Sequence, residues 1–491
     1  MKIGDRVSYG VKWVSVSLVA TRVARLFTSI VLARLLAPEF FGVVSMANVA
    51  ITTIGIIREI GFGAAFIQKS FESKNHERIA ANSMFFISFL LNSALFGLCS
   101  FLSPVVASFF RSQQLEIVFE VLIVSFLLNI FQVVPTMILQ KNMEFGKLSV
   151  SEIVQGISLG LIGIILAVMN FGIWSLVIAQ IISQLLYCIM VMRLSNWRPR
   201  IEFDFGIAKE MYSYGKFIWA FTALSVLGGA LDRIIIGRFW GAANVGYYGM
   251  AFQLCHLPTS YISSLINQVT FPVFSKIKAD KLRLKKALIT TLSNVALVTM
   301  PMCFGLVAIA DNFILTVYGS KWEPAIPPVK VLAFFGLTLS LSSVTGPVFK
   351  AIGKPNILLY TSVLHHTLMI ILLYIFRGLG VVGICYAVLI PLVISSIIAF
   401  GLIVRYLQFS ILEVLRPIIK SASSAIAMFV VVKYFKLYLL NENLFIPGVF
   451  LFVLVVIGIL GYLLSSLLLN RSQLMDFRFA IYNVIVSKGS S

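Results

Sequence analysis

Apolar stretches follow one another along nearly the whole chain, each close to the roughly 20 residues that a helix needs to cross about 30 Å of hydrocarbon. Divided by apolar length and by breakers, they lie near residues 10–35, 40–68, 79–110, 115–140, 148–169, 172–193, 212–238, 243–272, 287–310, 327–349, 356–376, 380–405, 412–435 and 445–469, about fourteen spans in all. The strict apolar and polar alternation of an outer-membrane barrel strand is absent from these stretches, so the pattern predicts helices. The connections between them are short and leave no room for a soluble domain. The longest outward one, Asp311 to Pro328, is itself half apolar, and the longest inward one, "RLSNWRPRIEFDFGIAKEM", joins the sixth and seventh spans where a linker between two bundles belongs.

Composition agrees with a membrane protein: hydrophobic residues make up 59% of the chain and charged residues 12%, against roughly 45–50% and about 25% in soluble domains. The formal net charge of +20 raises the question of a nucleic-acid partner, and its distribution answers it. The N-terminal segment and every second connection carry most of the Lys and Arg, from Lys2 and Arg6 through Lys276, Lys278, Lys281, Arg283, Lys285 and Lys286 to Arg471, Arg478 and Lys488, while the other connections carry few. By the positive-inside rule, this asymmetry places both termini in the cytoplasm and supports an even number of spans. The segment "MKIGDRVSYGVKW" leads into a long apolar run with no small-residue cleavage site after a short apolar core, so it reads as an uncleaved first span. The five cysteines, Cys99, Cys188, Cys255, Cys303 and Cys385, fall inside apolar stretches without CxxC spacing and read as small packing residues.

The chain repeats itself. "VLARLLAPEFFGVVSMA", Val31 to Ala47, and "IIIGRFWGAANVGYYGMA", Ile234 to Ala251, share Arg34/Arg238, Gly42/Gly246, Met46/Met250 and Ala47/Ala251, and "SYGVK" at Ser8 is echoed by "SYGK" at Ser213. Six spans separate the copies, so they have the same orientation, as in parallel repeats related by an axis along the membrane normal. The expected fold is an all-α polytopic membrane protein. It has an N-lobe of six helices (1–195), a cytoplasmic linker (196–211), a C-lobe of six helices (212–408), two extra helices (409–470) and a cytoplasmic tail (471–491), the lobes being related by that pseudo-two-fold axis.

Charges inside the spans carry the candidate chemistry, because each costs about 2.5–3.5 kcal/mol at a helix centre on insertion scales unless it meets protein or water. Arg22 and Arg25 lie mid-way along the first span and, with Ser15 and Ser29, share one helical face. Arg58 and Glu59 lie in the inner half of the second span, Asp232 and Arg233 in the outer half of the seventh. Neighbours on a helix point about 100° apart, so each of these charges looks across to another helix. One reading is structural, with Glu59 and Asp232 clamping arginines. The other is that surplus cations line a water-filled cavity and receive an anionic substrate, which arginine suits because its planar fork grips two oxygens at once. Lys216, Lys330 and Lys420 lie near span ends, where snorkelling accounts for them.

Other features decide less. His256, His365 and His366 lie in or near spans and could relay protons, although packing and interfacial hydrogen bonding explain them as well. Pro258, Pro301, Pro347 and Pro391 interrupt spans as candidate kinks. "GPVFKAIGKP" has the wrong spacing for a phosphate loop, and no HExxH, GxSxG or ligand cluster is present, so no ATPase, metal or nucleophile chemistry is predicted and no cofactor is expected.

The run "LDRIIIGRFWGAANVGYYGMAFQL", followed by "FPVFSKIKAD", with the SYG-headed spans and the layout of spans, resembles bacterial polysaccharide and oligosaccharide flippases of the multidrug/oligosaccharidyl-lipid/polysaccharide exporter superfamily. The resemblance implies a protein of the cytoplasmic (inner) membrane that is not an enzyme. It would flip an undecaprenyl-pyrophosphate-linked oligosaccharide repeat unit, anionic in this case, from the inner to the outer leaflet by alternating access, for exopolysaccharide, capsule or O-antigen (lipopolysaccharide) biosynthesis. It also implies coupling to an ion gradient, H+ or Na+, a groove for the lipid tail at the last two helices, and polymer-assembly proteins of the same pathway as partners. Arg22, Arg25, Arg58 and Arg233 would bind substrate, while Glu59 and Asp232 would pair with them or couple to the ion. A lipid II flippase or a drug or cation antiporter of the same fold is the alternative, and a membrane sugar polymerase or ligase is disfavoured by short outward loops poor in His and acids.

Overall fold

The computed structural model describes residues 26–58, 61–71, 73–441, 446–471 and 473–475. Among them helices make up nearly all of the chain and no strand occurs, and packing divides it into two units, Met1–Gly246 and Tyr247–Ser491. Among the described residues ten helical stretches are long and apolar enough to cross a membrane, and the longest, Asn356–Leu407, holds two helices of membrane-spanning length. Of the remaining expected spans, the first is described only from Leu26 onward, and the seventh and eighth coincide with helices whose glycines, tyrosines and charges dilute the apolar run.

The first unit holds α1 (Leu26–Leu35), α2 (Pro38–Gly55), α3 (Phe62–Gln68), α4 (Lys74–Phe110), α5 (Gln113–Leu122), α6 (Val124–Lys141), α7 (Phe145–Val168), α8 (Trp174–Leu194), α9 (Phe205–Gly228) and the first part of α10 (Leu231–Ile277). Small residues let its helices approach closely, the usual device where apolar burial gives no advantage over lipid. Gly156, Gly160 and Gly163 form the buried face of α7, with Gly160 against Thr28 of α1 and Gly163 against Leu32 of α1 and Ala179 of α8. Polar side chains add specific cross-links. Asn48 of α2 and Gln180 of α8 exchange amide hydrogen bonds of 3.2 and 2.9 Å. The expected linker docks on this unit: Trp197, Ile207 and Met211 join a core with Phe66, Met84 and Val134, and the Asp204 backbone N–H donates to Ser83 Oγ at 2.9 Å.

Two of the expected spans are not single helices. The second breaks after α2 into a short 3-10 turn, Ile56–Arg58, and resumes as α3 from Gly61, whose φ of 79° favours glycine. The seventh, expected over 212–238, ends at Gly228 and restarts at Leu231 as α10, because the Gly228–Gly229 pair lets the chain turn there.

The sequence echo has a structural counterpart. The first copy breaks its helix before Pro38, with Ala37 extended at φ −76°, ψ 145°. The second breaks at the equivalent position, Gly241, with φ 81°, ψ 179°. After each break the helices cross at their glycines. A Cβ on Gly42 would lie 1.7 Å from the Ala242 carbonyl oxygen, and one on Gly246 would lie 2.1 Å from the Pro38 carbonyl oxygen. Pro38 and Ala242 are equivalent in the two copies, as are Gly42 and Gly246, so the contact is reciprocal, as a two-fold relation between the copies requires.

The second unit holds the rest of α10, then α11 (Lys281–Phe313), α12 (Ile326–Ser342), α13 (Thr345–Ala351), α14 (Asn356–Phe376), α15 (Gly380–Leu407), α16 (Ile411–Asn441) and α17 (Pro447–Leu469). α11 is its central post, packed against α12, α15, α16 and α17. Asp280 caps its start, accepting from the backbone N–H groups of Leu282 and Arg283 at 3.0 Å. Ion pairs tie α16 to α11 at both ends: Lys285 to Glu413 at 2.5 Å, and Asp311 to Lys436 at 3.1 Å. Lys285 and Asp311 stand roughly 39 Å apart along the helix at 1.5 Å per residue, farther than about 30 Å of hydrocarbon, so the helix is long enough to hold the two pairs on opposite sides of it. α17 joins through Tyr462, whose hydroxyl donates to the Leu297 carbonyl at 2.7 Å, and Ser465, which donates to the Ser424 carbonyl at 3.0 Å.

Candidate functional site

Arg58 ends the 3-10 turn that interrupts the second span. Gly55 packs closely on both Phe126 and Arg58, since a Cβ there would come within 3.3 Å of Phe126 and 3.6 Å of the Arg58 guanidinium. The guanidinium carbon stands 5.3 Å from the centre of the Phe126 ring, a cation–π distance. Across from it, α9 presents Trp219, Thr222, Ala223 and Val226, spaced to share one helical face. Together with Thr52, Gly55 and Ile56 these enclose a cavity of about 100 Å³ inside the first unit. Trp219 Nε1 donates to the Ile56 carbonyl at 2.9 Å, which pins the 3-10 turn against α9. The lining is mostly apolar, with Thr52 and Thr222 as its neutral polar side chains and one permanently charged group, Arg58, at its edge. Such a cavity can hold a few hydrogen-bonded waters or an oxyanion, and arginine is the side chain that grips paired oxygens.

The other expected site residues fall elsewhere. Asp232 and Arg233 form the first turn of α10 and are not among the residues lining the Arg58 cavity. Asp232 is buried, 4% exposed, and its Oδ1 accepts from the Arg233 backbone N–H at 2.7 Å, where the helix dipole favours a carboxylate. Arg22, Arg25 and Glu59 lie outside the described residues.

Several charges that the sequence assigns to loops or snorkelling are bound into the fold. Arg238, the echoed arginine, donates to the Phe109 carbonyl at 2.6 Å and stacks over the Phe109 ring at 5.3 Å, closing the C-terminal end of α4. Lys141 donates to the carbonyls of Phe66 and Lys69 at 3.0 and 2.6 Å, so it caps the end of α3. Lys330 is not simply snorkelling: it meets Asp311 at 2.6 Å, in a triad completed by Lys436. The histidines read as packing groups: His256 stacks on Phe252 at 5.5 Å, and His366 Nδ1 lies 2.7 Å from the Ser362 carbonyl oxygen. All five cysteines are buried, and none is in a disulfide.

Residues 31–327, more than half of the chain, match the family described as polysaccharide biosynthesis protein. The chain belongs to that family. It is 28% identical over 363 residues to the teichuronic acid biosynthesis protein TuaB of Bacillus subtilis, covering 73% of this chain and 74% of that one. It is 23% identical over 412 residues to the lipopolysaccharide biosynthesis protein WzxC of Escherichia coli, covering 82% of each. With the succinoglycan biosynthesis transport protein ExoT of Rhizobium meliloti it shares 26% identity over 363 residues, covering 73% of this chain and 72% of that one. Among solved structures, the lipid II flippase MurJ superposes with a TM-score of 0.75 at 18% identity, covering 94% of this chain and 99% of that one. An inward-facing MATE multidrug transporter of the MOP superfamily superposes with a TM-score of 0.63 at 16% identity, covering 81% and 98%. These likenesses show the fold: the all-α polytopic architecture read from the sequence is shared with those two transporters. The protein is a multi-pass membrane protein of polysaccharide biosynthesis, and its relatives are named as biosynthesis and transport proteins rather than as catalysts.

Proposed function

We propose that this protein flips an undecaprenyl-pyrophosphate-linked, anionic oligosaccharide repeat unit from the inner to the outer leaflet of the cytoplasmic membrane. The product would feed exopolysaccharide, capsule or O-antigen assembly, with both termini of the flippase in the cytoplasm. The observation that carries the reading is Arg58 at the edge of a cavity inside an apolar helical unit, in a chain whose relatives are named for polysaccharide biosynthesis. An arginine at such a cavity can grip the paired oxygens of a phosphate or a carboxylate. Arg22, Arg25 and Arg233 are assigned with Arg58 to pyrophosphate or acidic sugars, and Glu59 and Asp232 to charge pairing or ion coupling during the cycle. A conformational cycle needs differential binding, so the ligand must neutralise these cations better in one state than in the other. The driving force is an ion gradient, H+ or Na+. α16 and α17, which stand outside the six-span repeat, are assigned to the lipid tail; exposed apolar side chains such as Ile426 and Val430 on α16 and Phe452 and Ile459 on α17 suit that role.

The test is a deletion strain. Loss of the gene should make a lipid-linked repeat unit accumulate, identifiable by mass spectrometry, and the wild-type gene but not Arg58→Ala should clear it. A strain that accumulates no lipid-linked saccharide contradicts the proposal. Rescue of a strain lacking its lipid II flippase would move the assignment to peptidoglycan precursors.

A further inference from the structure

A second and larger cleft, about 530 Å³, opens in the first unit where the end of α3, the first turn of α4 and the start of α9 meet. Its polar lining is Gln68, Lys69, Ser70, His76, Glu210 and Tyr214. That volume is within the roughly 300–1,000 Å³ of small-ligand sites. We infer that this cleft is a reception site for a sugar of the lipid-linked glycan, an inference that rests on the flippase reading above and adds a place and a recognition chemistry to it.

The wall is built rather than incidental. Lys141 spans the end of α3 by its two carbonyl bonds, while its ammonium sits 3.9 Å from the centre of the Phe71 ring. His76 packs edge-on against the same ring at 5.7 Å, and Ser73 caps α4 by accepting from the His76 backbone N–H at 3.1 Å. The opposite wall is fixed by a contact between backbones: a Cβ on Gly61 would lie 2.3 Å from the Gly215 carbonyl oxygen, one residue beyond Tyr214. Across the cleft Lys69 and Glu210 meet at 2.5 Å, with the Lys69 side chain 21% and the Glu210 side chain 64% exposed.

The charge balance selects the ligand. Lys69 is offset by Glu210, and Lys141 by Glu77 at 3.9 Å. A phosphate or pyrophosphate entering here would confront the Glu210 carboxylate. A sugar ring needs the mixture that is present: a carboxylate and an amide oxygen to accept from hydroxyls, an ammonium and an imidazole to donate, and an aromatic face for its C–H surface. Glu210 and Lys69 become the bidentate pair for adjacent hydroxyls, and Tyr214, 43% exposed, supplies the ring. The cleft lies beside the connections carrying Lys69, Lys74, Arg78 and Lys209, which the charge asymmetry places in the cytoplasm. It therefore stands where a sugar assembled on the inner leaflet would arrive. Tyr214 at this cleft and Trp219 and Thr222 at the Arg58 cavity all belong to α9, so the sugar site and the cationic site share one helix.

The experiment uses Ser70→Cys in the full-length purified protein, labelled with a water-soluble maleimide; the five native cysteines are buried. The probes are the oligosaccharide released by mild acid from the strain's lipid-linked pool, and inorganic pyrophosphate. The saccharide should slow labelling while pyrophosphate leaves it unchanged, and adding Glu210→Gln should raise the half-protecting saccharide concentration about tenfold, as expected for loss of a charge-assisted hydrogen bond. A thermal unfolding midpoint equal to that of the parent confirms that the exposed Glu210 substitution leaves the fold intact. Absence of protection by saccharide, equal protection by pyrophosphate, or protection unaffected by Glu210→Gln overturns the inference. If the saccharide still stabilises the protein against heat without protecting position 70, the cleft is not the site and the flippase reading stands. If the deletion strain accumulates no lipid-linked saccharide, that reading itself fails.

Discussion

The reciprocal glycine crossing lends itself to a quantitative prediction. Real Cβ contacts essentially never fall under 3.0 Å, and a methyl on Gly42 would start 1.7 Å from the Ala242 carbonyl oxygen. Neither partner can yield by rotating a side chain, because both are backbone, so Gly42→Ala must push the two helices apart by more than an ångström. Overpacking of this kind typically costs about 1–3 kcal/mol. In a unit of this size each kcal/mol lowers the melting midpoint by about 2–4 °C. The same reasoning applies to Gly246→Ala, whose methyl would start 2.1 Å from the Pro38 carbonyl oxygen. Because both changes separate the same pair of helices, the double variant should cost less than the sum of the two. Gly249→Ala is the control: it sits in the same helix with nothing within 4 Å of its added methyl, and replacing glycine by alanine in an open helical site should leave stability unchanged or slightly raise it. The assay is thermal unfolding of the purified protein by intrinsic fluorescence, with surface expression as a second readout. Gly42→Ala and Gly246→Ala variants as stable as Gly249→Ala would refute the reasoning.

Arg58→Ala should abolish polymer export while the protein still reaches the membrane, measured by polymer yield against membrane immunoblot, and Arg25→Ala should do the same; normal export in either variant removes that residue from the mechanism. Asp311→Asn leaves Lys330 and Lys436 without their shared carboxylate and, after allowance for partial exposure, should cost about 1–2 kcal/mol, seen as a lower melting midpoint; an unchanged midpoint means the triad contributes nothing. Arg238→Ala should lower thermal stability by about 1 kcal/mol, the value of one lost hydrogen bond to a helix end, and leave export intact; loss of export at normal stability would make it a transport residue. Replacing Asn48 by Leu leaves Gln180 without its amide partner and should cost about 0.6–1.7 kcal/mol, the range found for hydrogen bonds between membrane helices, again read as a melting shift.

Hydropathy and breakers foretold most of the helices because both act locally. An apolar run long enough to cross hydrocarbon has to be helical, and its ends follow from the residues at the ends. The repeat was legible through Gly42 and Gly246 because close backbone crossings tolerate no other residue, so the motif marks a contact. Arg58 stood out in the sequence as a charge in an apolar run, and the structure places it at a cavity with Thr52, Trp219 and Thr222. The break of the seventh span at Gly228 and Gly229 was missed, since apolar residues continue on both sides and hide the turn. The roles of Lys141, Lys436 and Arg238 were also missed. Their partners lie 72, 125 and 129 residues away, and no local pattern encodes such a pairing. For Lys141 and Arg238 the general signal was that the last carbonyls of a helix need donors, as at Phe66 and Phe109, but nothing local names which residue supplies them.

The central claim is that this protein moves a lipid-linked saccharide between leaflets. It is tested most directly in proteoliposomes holding the purified protein and an undecaprenyl-pyrophosphate-linked repeat unit, with an ion gradient imposed and a glycosidase added outside. The account predicts that wild-type protein exposes internal saccharide to the enzyme over time, while Arg58→Ala vesicles and protein-free vesicles protect it equally. Protection by wild-type vesicles as complete as in protein-free ones, with the protein folded and the gradient verified, would contradict it.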